Sequence, residues 1–301
     1  MKDRFKQGMV MTIFAGIAWG FLGNCAEILF KNFGITPVYL SSMRMVFSGL
    51  ILTIAALLTN RENLISMLKD KRSVLQLVLF ALFGILFNQV SYLEAINNSN
   101  SGTATILQYI GPVFCMITEC ILIKRFPTKK EVSAIMLAMI GTVILATHGD
   151  IHRIYITPLG LMWGLFSAFA IVFYTFIPIK LIEKYGAIPV TGCAMLIGGA
   201  VTSTYSKAFL QPFNTDPKFV AFLVLIILLG TIVSYTLYLM GINRCGPVVA
   251  SMLASIEPVS ATVFMVILLN VPFTGIEALG FACIFVTVFI LARSKTSNSS
   301  K

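Results

Sequence analysis

A carboxylate and a proline stand side by side inside an apolar run, at Glu257 and Pro258. The run extends from Val248 to Leu269, and a helix of about 20 residues is enough to cross a bilayer. Both residues are costly at that depth, because a charge at the bilayer centre costs roughly 3 kcal/mol on insertion scales. Proline also removes a helix hydrogen bond that lipid cannot replace. A carboxylate placed there can attract an ammonium group or exchange a proton with a ligand.

The same stretch occurs twice in the chain. Ala250-Ser-Met-Leu-Ala-Ser-Ile-Glu-Pro-Val259 aligns with Ala104-Thr-Ile-Leu-Gln-Tyr-Ile-Gly-Pro-Val113, which lies 146 positions earlier and shares its Ala, Leu, Ile, Pro and Val. A proline-interrupted apolar segment at matching places in two halves is a sequence pointer to a transporter binding site. We therefore expect helix breaks at Gly111, Pro112 and Pro258.

The composition is that of a polytopic membrane protein. The 301 residues are 57% hydrophobic and 11% charged, with a mean hydropathy of +0.91, whereas an ordinary soluble domain is about 25% charged. Ten apolar runs are long enough to cross a bilayer when tilt is allowed, so we expect an all-α integral membrane protein with ten transmembrane helices. The runs cover residues 8–30, 38–59, 73–93, 103–123, 131–147, 158–180, 189–209, 218–239, 248–269 and 274–292.

A repeat extends through the whole chain. Leu82 to Asn97 aligns with Leu228 to Asn243 at the same offset of 146 positions, with six of 16 residues identical. Each half holds five runs, and because five is odd, the second half should enter the membrane from the opposite side, as in many secondary transporters. The predicted boundaries are a first repeat at 1–147 (helices 1–5), an outer linker at 148–157, a second repeat at 158–292 (helices 6–10) and a cytoplasmic tail at 293–301.

The net charge of +10 is explained by membrane topology. The basic residues stand in short loops, without the basic helix or aromatic signature of a nucleic-acid-binding protein, so we expect no nucleic-acid partner. With the N-terminus inside, the inner segments hold 17 Lys and Arg residues and the outer loops hold four. Cytoplasmic loops carry such an excess, so both termini are predicted to be cytoplasmic, in a multi-pass protein of the cell membrane.

Polar residues at helical spacing indicate where a cavity can lie. Positions i, i+4 and i+8 share one helix face, and such stripes occur at matching places in the third and eighth runs. They are Gly84, Asn88 and Tyr92, and Gly230, Ser234 and Tyr238. Helix packing through small residues is the alternative and explains glycines. It does not explain an asparagine and two tyrosines, which need partners or water at membrane depth, so we expect both stripes to line a cavity.

Neighbouring runs add further candidates. Glu257 shares a face with several alanines, which leaves room for water or a ligand amine, although a protonated or paired structural glutamate is the alternative. Aromatic residues could stack on a bound molecule, but at membrane depth they are more often packing residues or interface anchors. The candidate substrate-binding residues are Asn24, Glu27, Asn88, Tyr92, Gln108, Tyr109, Trp163, Ser234, Tyr235, Tyr238 and Glu257.

Three further groups of residues are assigned other roles. Glu27 lies about 4–5 Å and Arg44 about 9 Å from the outer ends of their helices, at about 1.5 Å of rise per residue, so we expect an ion pair between them and a structural role for Arg44. The six cysteines form no CxxC pair and predict free thiols. His148 and His152 flank Asp150, where a metal site or a solvated loop are alternatives. We favour the loop, and expect neither metal nor cofactor.

The chain resembles the drug/metabolite transporter superfamily, and its EamA branch in particular, over nearly its whole length. The features that carry the resemblance are the two five-helix repeats, Trp19-Gly20 in the first run, Arg44 in the second, and the Gly-Pro and Glu-Pro pairs in the fourth and ninth. The resemblance implies ten helices, a central cavity between the halves, and export of amino acids, related metabolites or drugs. One departure is Leu196, which stands at the counterpart of Arg44 in the second repeat.

The leading hypothesis is a secondary carrier that exports small metabolites, amino acids or similar amphiphiles, by alternating access. A multidrug or toxic-compound efflux carrier of the same fold is the first alternative. A membrane enzyme acting on lipid-like substrates is the second, although the chain has no paired-carboxylate motif, HExxH, nucleophile elbow or phosphate loop. The expected partners are a small-molecule substrate and the lipid bilayer. The sequence specifies neither the substrate nor the oligomeric state.

Overall fold

The computed structural model describes residues 2–99, 101–147, 149, 150, 152, 157–269 and 275–294. These residues are overwhelmingly helical and contain no β-strand. Eight helical segments are long and apolar enough to cross a membrane, which confirms the predicted class of all-α, multi-pass membrane protein. They are Asp3–Phe33, Pro37–Thr59, Lys71–Asn97, Ser101–Leu122, Pro158–Tyr185, Ala187–Ser206, Pro217–Cys245 and Pro247–Phe264.

Two series of helices correspond to the two predicted repeats. The first comprises α1 (Lys2–Phe33), α2 (Pro37–Thr59), α3 (Arg61–Lys69), α4 (Lys71–Leu79), a π-helical segment (Phe80–Leu86), α5 (Phe87–Asn97), α6 (Ser101–Gln108), α7 (Gly111–Leu122) and α8 (Lys129–Thr147). The second comprises α9 (Pro158–Phe176), α10 (Ile179–Tyr185), α11 (Ala187–Ser206), a 3₁₀ turn (Ala208–Leu210), α12 (Pro217–Ile227), a π-helical segment (Leu228–Val233), α13 (Ser234–Cys245), α14 (Pro247–Leu253), α15 (Ile256–Leu269) and α16 (Gly275–Ser294).

Three long helices begin with the same local chemistry. Thr36, Thr157 and Asp216 each precede a proline, and their side chains accept a hydrogen bond from a backbone amide of the first turn, at 3.2, 2.9 and 2.8 Å. Proline suits the first helical position because its missing N–H would have had no partner there. The side-chain oxygen satisfies one of the free amides of that turn. The sequence thus defines the starts of α2, α9 and α12 locally.

Matching irregularities interrupt the two halves. The π-helical segments start at Phe80 and Leu228, and the fourth and ninth apolar runs are broken after Gln108 and Leu253. Both pairs lie close to the 146-residue offset of the repeat. The breaks follow from the prolines, whereas no residue pattern predicted the π-helical segments. Such segments are rare and frequently stand at functional sites.

The two halves pack into each other rather than side by side. Helix α1 packs on α13 and α15 of the second half, α5 of the first half packs on α9, and α2 packs along α11. The α1–α13 and α5–α9 contacts are counterparts of one another under the repeat. Because the halves interlock in this way, residues from both must line any space at the centre.

A cluster around Asp70 joins the halves at the end of the bundle that carries the α3–α4 connection. The Asp70 carboxylate accepts hydrogen bonds from the Arg72 amide at 3.1 Å and the Ser73 hydroxyl at 2.8 Å, so it caps α4. It also binds Lys184 Nζ of α10 at 3.2 Å. The Ser73 hydroxyl and the Lys184 ammonium hold the pKa of this carboxyl at about 2, below its ordinary value.

We expect Asp70→Asn to lower the thermal midpoint of the purified protein by a small amount that depends on pH. The folded-state pKa of about 2 lies below the unfolded value of about 3.9. The ionised carboxylate therefore stabilises the folded state above about pH 4, and this contribution is lost as the pH falls through about 2. The effect is small because the group is open to solvent. Thermal unfolding in detergent from pH 3 to pH 7 measures the difference.

The control for this variant is Glu62→Gln, a charge-to-amide change at an exposed position of α3. It should leave the midpoint unchanged at every pH. A difference between wild type and Asp70→Asn that is as large at pH 3 as at pH 7 would contradict the assigned role of the charge.

Candidate binding cavity

A cavity of about 60 Å³ lies beside the π-helical segments and the helix breaks of both halves. A buried water takes about 10–15 Å³ of such space, so the cavity has room for a few waters or a small polar group. Residues before and after the irregularities form its wall: Asn88 follows the first π-helical segment, Tyr235 follows the second, and Gln108 and Ala254 stand at the two breaks. The irregular backbone therefore surrounds the cavity.

Seven of the eleven predicted substrate-binding residues line this cavity. They are Asn88, Tyr92, Gln108, Tyr109, Tyr235, Tyr238 and Glu257. Pro112, predicted as part of a helix break, lies in the wall as well, whereas Gly111 and Pro258 do not. Gly111 is the first residue of α7, and Pro258 is the third residue of α15. The part that these side chains play in binding stays a prediction.

The other four candidates lie outside the wall and contact other residues. Asn24 donates to the Ala261 carbonyl at 3.1 Å, and Ser234 donates to the Gly230 carbonyl of its own helix at 2.7 Å. Trp163 packs edge-on against Phe166, with ring centroids 5.9 Å apart. Glu27 binds Lys31. Polar side chains in a membrane helix can thus form their hydrogen bonds with backbone carbonyls instead of with a ligand. The spacing of polar residues in the sequence does not distinguish these two cases.

The expected ion pair between Glu27 and Arg44 is wrong. Glu27 binds Lys31 at 2.6 Å, one helical turn further on, and accepts a hydrogen bond from the Ser101 amide at 3.1 Å. The Arg44 side chain instead extends toward the second π-helical segment, where Nε donates to Thr231 Oγ1 at 3.0 Å. Residues at i and i+4 on a helix are neighbours, so Lys31 lies closer to the Glu27 carboxylate than Arg44 does.

The expectation that Gly84 and Gly230 line the cavity is also wrong. A Cβ atom added at Gly84 would meet the Phe80 ring at 2.6 Å and the Tyr174 backbone at 3.3 Å. One added at Gly230 would meet Leu22 Cβ at 2.9 Å. Both glycines serve close helix packing.

Glu257 is the carboxylate of the cavity, and its side chain is 6% exposed. The Tyr92 hydroxyl donates to its Oε1 at 3.2 Å and lies 3.1 Å from Thr105 Oγ1. The neighbouring Pro258 has no N–H to donate to the Ala254 carbonyl. That carbonyl accepts instead from the Glu257 amide at 2.9 Å and from the Tyr109 hydroxyl. The two repeat-related breaks are therefore joined by a hydrogen bond beside the carboxylate.

An aromatic cluster of Trp19, Tyr174, Tyr235 and Tyr238 forms one wall. The Trp19 ring lies 5.5 Å from Tyr235 and 5.0 Å from Tyr238, and Tyr174 stacks on Tyr238 at 5.5 Å. Neither Trp19 nor Tyr174 is among the eleven predicted substrate-binding residues. Trp19 and Tyr174 come close to the other two rings because α1 and α9 pack around α13. These helices are far apart in the sequence, so residue spacing does not predict the contact.

Two polar side chains of the wall, Gln89 and Tyr174, make no hydrogen bond within the part of the chain that the structure describes. Neither the amide nitrogen nor the oxygen of Gln89 makes a hydrogen bond to any described residue, although the side chain is 2% exposed and adjoins the Tyr235 hydroxyl. The Tyr174 hydroxyl is buried without a partner in the same way. Buried polar groups normally have partners, so these two side chains keep unused hydrogen-bonding capacity at the cavity. Gln89 was missed because the π-helical segment adds a residue and shifts the face of the helix.

The described residues contain no group of three or more His, Cys, Asp or Glu side chains that could hold a metal ion. His148, part of the possible metal site His148–Asp150–His152, lies outside the described residues. The prediction of free thiols is confirmed, because all six cysteines are free, five of them buried.

An all-helical, multi-pass chain with an interior polar cavity between two interlocked repeats has the form of a membrane transporter. The profile of the EamA-like transporter family matches residues 6–147 and 158–293. The chain belongs to this family, which confirms the predicted resemblance.

Two relatives and one solved structure are similar along most of the chain. An uncharacterized inner membrane transporter, YicL, of Salmonella typhimurium is 31% identical over 287 residues, or 95% of each chain. An uncharacterized transporter of Archaeoglobus fulgidus is 21% identical over 261 residues, covering 87% of this chain and 90% of the relative. A crystal structure with 17% identity superposes with a TM-score of 0.76 over 95% of this chain and 96% of the other, and it shows a shared fold.

Proposed function

We propose that this transporter is a secondary carrier that exports small metabolites, amino acids or related amphiphiles, across the cytoplasmic membrane by alternating access. The observation that carries the proposal is Glu257, a buried carboxylate beside a helix break in a cavity built from both halves. Buried ionisable groups in spanning helices mark substrate and ion pathways. The family resemblance supports export, and the name of the Salmonella relative supports placement in an inner membrane.

The proposed architecture has ten crossings in two inverted repeats, 1–147 and 158–292. Helices α8 and α16 supply the fifth and tenth crossings, and they pack against each other as repeat counterparts. The α8 sequence opens with Lys129, Lys130 and Glu131, and the apolar part of α16 is Ala278–Thr287. Tilt and snorkelling of the basic residues allow both helices to cross.

The proposed topology predicts a labelling pattern in intact cells. With both termini cytoplasmic, a cysteine at Ile151, which lies outside the described residues, should react with an impermeant thiol reagent. A cysteine at Thr128, an exposed position between α7 and α8, should not react until the cells are broken. The native cysteines give little background because five of six are buried. Labelling of position 128 and protection of position 151 would reverse the orientation.

The helix breaks around the cavity can act as hinges for alternating access. The helices are already divided at Gln108–Gly111 and Leu253–Ile256, so their halves can tilt separately. Hinges are typically a few residues at the ends of elements. We propose that the two repeats exchange conformations about these breaks, with Glu257 binding the cationic part of the substrate and exchanging a proton on release.

A metabolite profile of the medium tests the function. Cells that over-produce the protein should accumulate one class of small solute outside, compared with vector controls and with cells producing Glu257→Gln. Purified protein in liposomes should then move that solute chemically unchanged, which an enzyme or a receptor would not do. An unchanged medium and no flux in liposomes would contradict the proposal.

Efflux of amphiphilic cations is the second candidate function, and the aromatic cluster favours it. Four packed rings stand in the same wall as the carboxylate, and aromatic faces attract cations. Resistance of producing cells to several unrelated lipophilic cations, without a change in exported metabolites, would support this function instead.

A further inference from the structure

Helix α3 is too short to cross the membrane. Its nine residues, Arg61–Lys69, span about 14 Å at about 1.5 Å of rise per residue, whereas the hydrocarbon core of a bilayer is about 30 Å thick. The helix joins two crossings, α2 and the segment that begins at Lys71. It therefore lies at the end of the bundle, where the protein meets the lipid headgroups.

One side of α3 is held against the rest of the protein. Leu64 and Met67, three residues apart, are buried in the core that both halves form. The Asn63 side chain donates to the Tyr185 carbonyl of the second half at 3.4 Å. Residues three and four apart share a helix face, so these contacts fix which sides of α3 point away from the protein.

The adjoining side of α3 is apolar and uncovered. Ile65 and Leu68 are 37% and 52% exposed. Arg61 and Lys69 lie one turn before and one turn after Ile65 on the same side, and both are exposed. An amphipathic helix with basic residues beside an apolar face lies in the headgroup region, with its apolar side chains entering the bilayer. The exposed side of α3 has this pattern.

Four cations at this place have no counter-charge in the described protein. They are Arg61, Lys69, Lys71 and Arg72, whose side chains form neither an ion pair nor a hydrogen bond with any residue that the structure describes. Asp70 is already bound to Lys184 and to the start of α4, which leaves Glu62 as the other carboxylate of the segment. The excess positive charge is complementary to an anionic headgroup.

We propose that α3 is a binding site for anionic phospholipid, with Ile65 and Leu68 against the acyl chains and Arg61 and Lys69 on the headgroup phosphate. The two cations at the start of α4 add to the attraction. The occupant is a lipid rather than a soluble anion, because a soluble phosphate would leave the apolar side chains uncovered. The site is separate from the cavity, and it does not depend on which solute the protein carries.

Tryptophan fluorescence tests the site on the full-length protein in vesicles. Leu68→Trp adds an indole to the proposed lipid side, whereas Ser66→Trp adds one to the polar side that Ser66 shares with Glu62. The unchanged protein, which contains Trp19 and Trp163, supplies the background. Bromine on the acyl chains quenches indoles that lie against them. Leu68→Trp should therefore lose much more of its added fluorescence in brominated lipid than Ser66→Trp.

Lipid mixtures then measure the preference for an anionic headgroup. In vesicles of phosphatidylglycerol and phosphatidylcholine with bromine on one lipid at a time, quenching of Leu68→Trp gives the ratio of the two lipid binding constants. Each basic side chain near an anionic surface favours the anionic lipid by about fivefold. The ratio should therefore favour phosphatidylglycerol by about fivefold or more.

Charge variants in the Leu68→Trp background assign the preference to α3. Arg61→Gln combined with Lys69→Gln should lower the ratio about fivefold or more. The matched control is Lys129→Gln combined with Lys130→Gln, which removes the same charge from an exposed pair at the start of α8. The control should leave the ratio unchanged. Both tryptophan variants keep the native charges, so they still decide on the site if a charge variant does not fold.

Four results would overturn the lipid site. Equal quenching of Leu68→Trp and Ser66→Trp would mean that α3 does not turn its apolar side to the bilayer. A ratio near one would reject the anionic headgroup, and an equal fall in the α3 and α8 charge variants would reflect general surface charge. Loss of the preference in excess glycerol 3-phosphate would assign the cations to a soluble anion instead.

Discussion

Glu257→Gln should abolish transport by the protein in liposomes, or leave a rate that no longer varies with pH, while the protein still folds. Glutamine keeps the shape of the side chain and can still accept the Tyr92 hydrogen bond, but it carries no charge and exchanges no proton. Loss of a charge-assisted contact should raise the half-saturating solute concentration about tenfold to a hundredfold. The measurement is flux of the transported solute between pH 5.5 and pH 8.5.

The matched control is Glu119→Gln, which makes the same chemical change in another helix. Glu119 stands near the end of α7, outside the cavity wall, where it binds Arg125 at 2.7 Å. The flux through Glu119→Gln and its dependence on pH should equal those of wild type. An unchanged rate and pH profile in Glu257→Gln would reduce that glutamate to a structural residue and leave the polar amides and hydroxyls as the site.

The sequence predicted the parts of this site that depend on costly residues. A proline or a carboxylate in a spanning segment is unfavourable unless the fold uses it, so Glu257 and the break at Pro112 could be located without coordinates. The repeat then indicated where the matching elements of the other half would lie. Asn88 and Tyr92 followed because polar side chains at membrane depth need partners or water.

What the sequence could not predict depends on contacts between distant segments. The π-helical segments change which residues face inward, which brings Gln89 into the wall and leaves Ser234 bonded to its own helix. Apolar composition is the same in an α-helical and a π-helical turn, so hydrophobic spacing does not distinguish them. Arg44 was assigned to Glu27 on depth alone, and depth says nothing about the direction in which a side chain extends.

Gly20→Ala should lower both stability and transport, because α1 meets α15 at this residue. A Cβ atom at Gly20 would lie 2.8 Å from the Ala261 amide nitrogen and closer still to the Glu257 carbonyl and Ser260 Oγ. Two of these atoms are backbone, so a side-chain rotation cannot relieve the overlap. The helices must separate, which moves the backbone that carries Glu257. Overpacking of this kind typically costs about 1–3 kcal/mol.

Gly23→Ala is the matched control, three residues further along the same helix. A Cβ atom there would meet only the Tyr92 hydroxyl, at 3.4 Å, which is ordinary van der Waals contact. Alanine also favours the helix over glycine by about 1 kcal/mol, so this variant should be as stable as wild type or more so. Thermal unfolding and liposome flux compare the two variants. Equal unfolding temperatures and equal flux would mean that α1 and α15 are not held together through Gly20. The added methyl group meets α15 at position 20, whereas at position 23 it meets only the Tyr92 hydroxyl of α5.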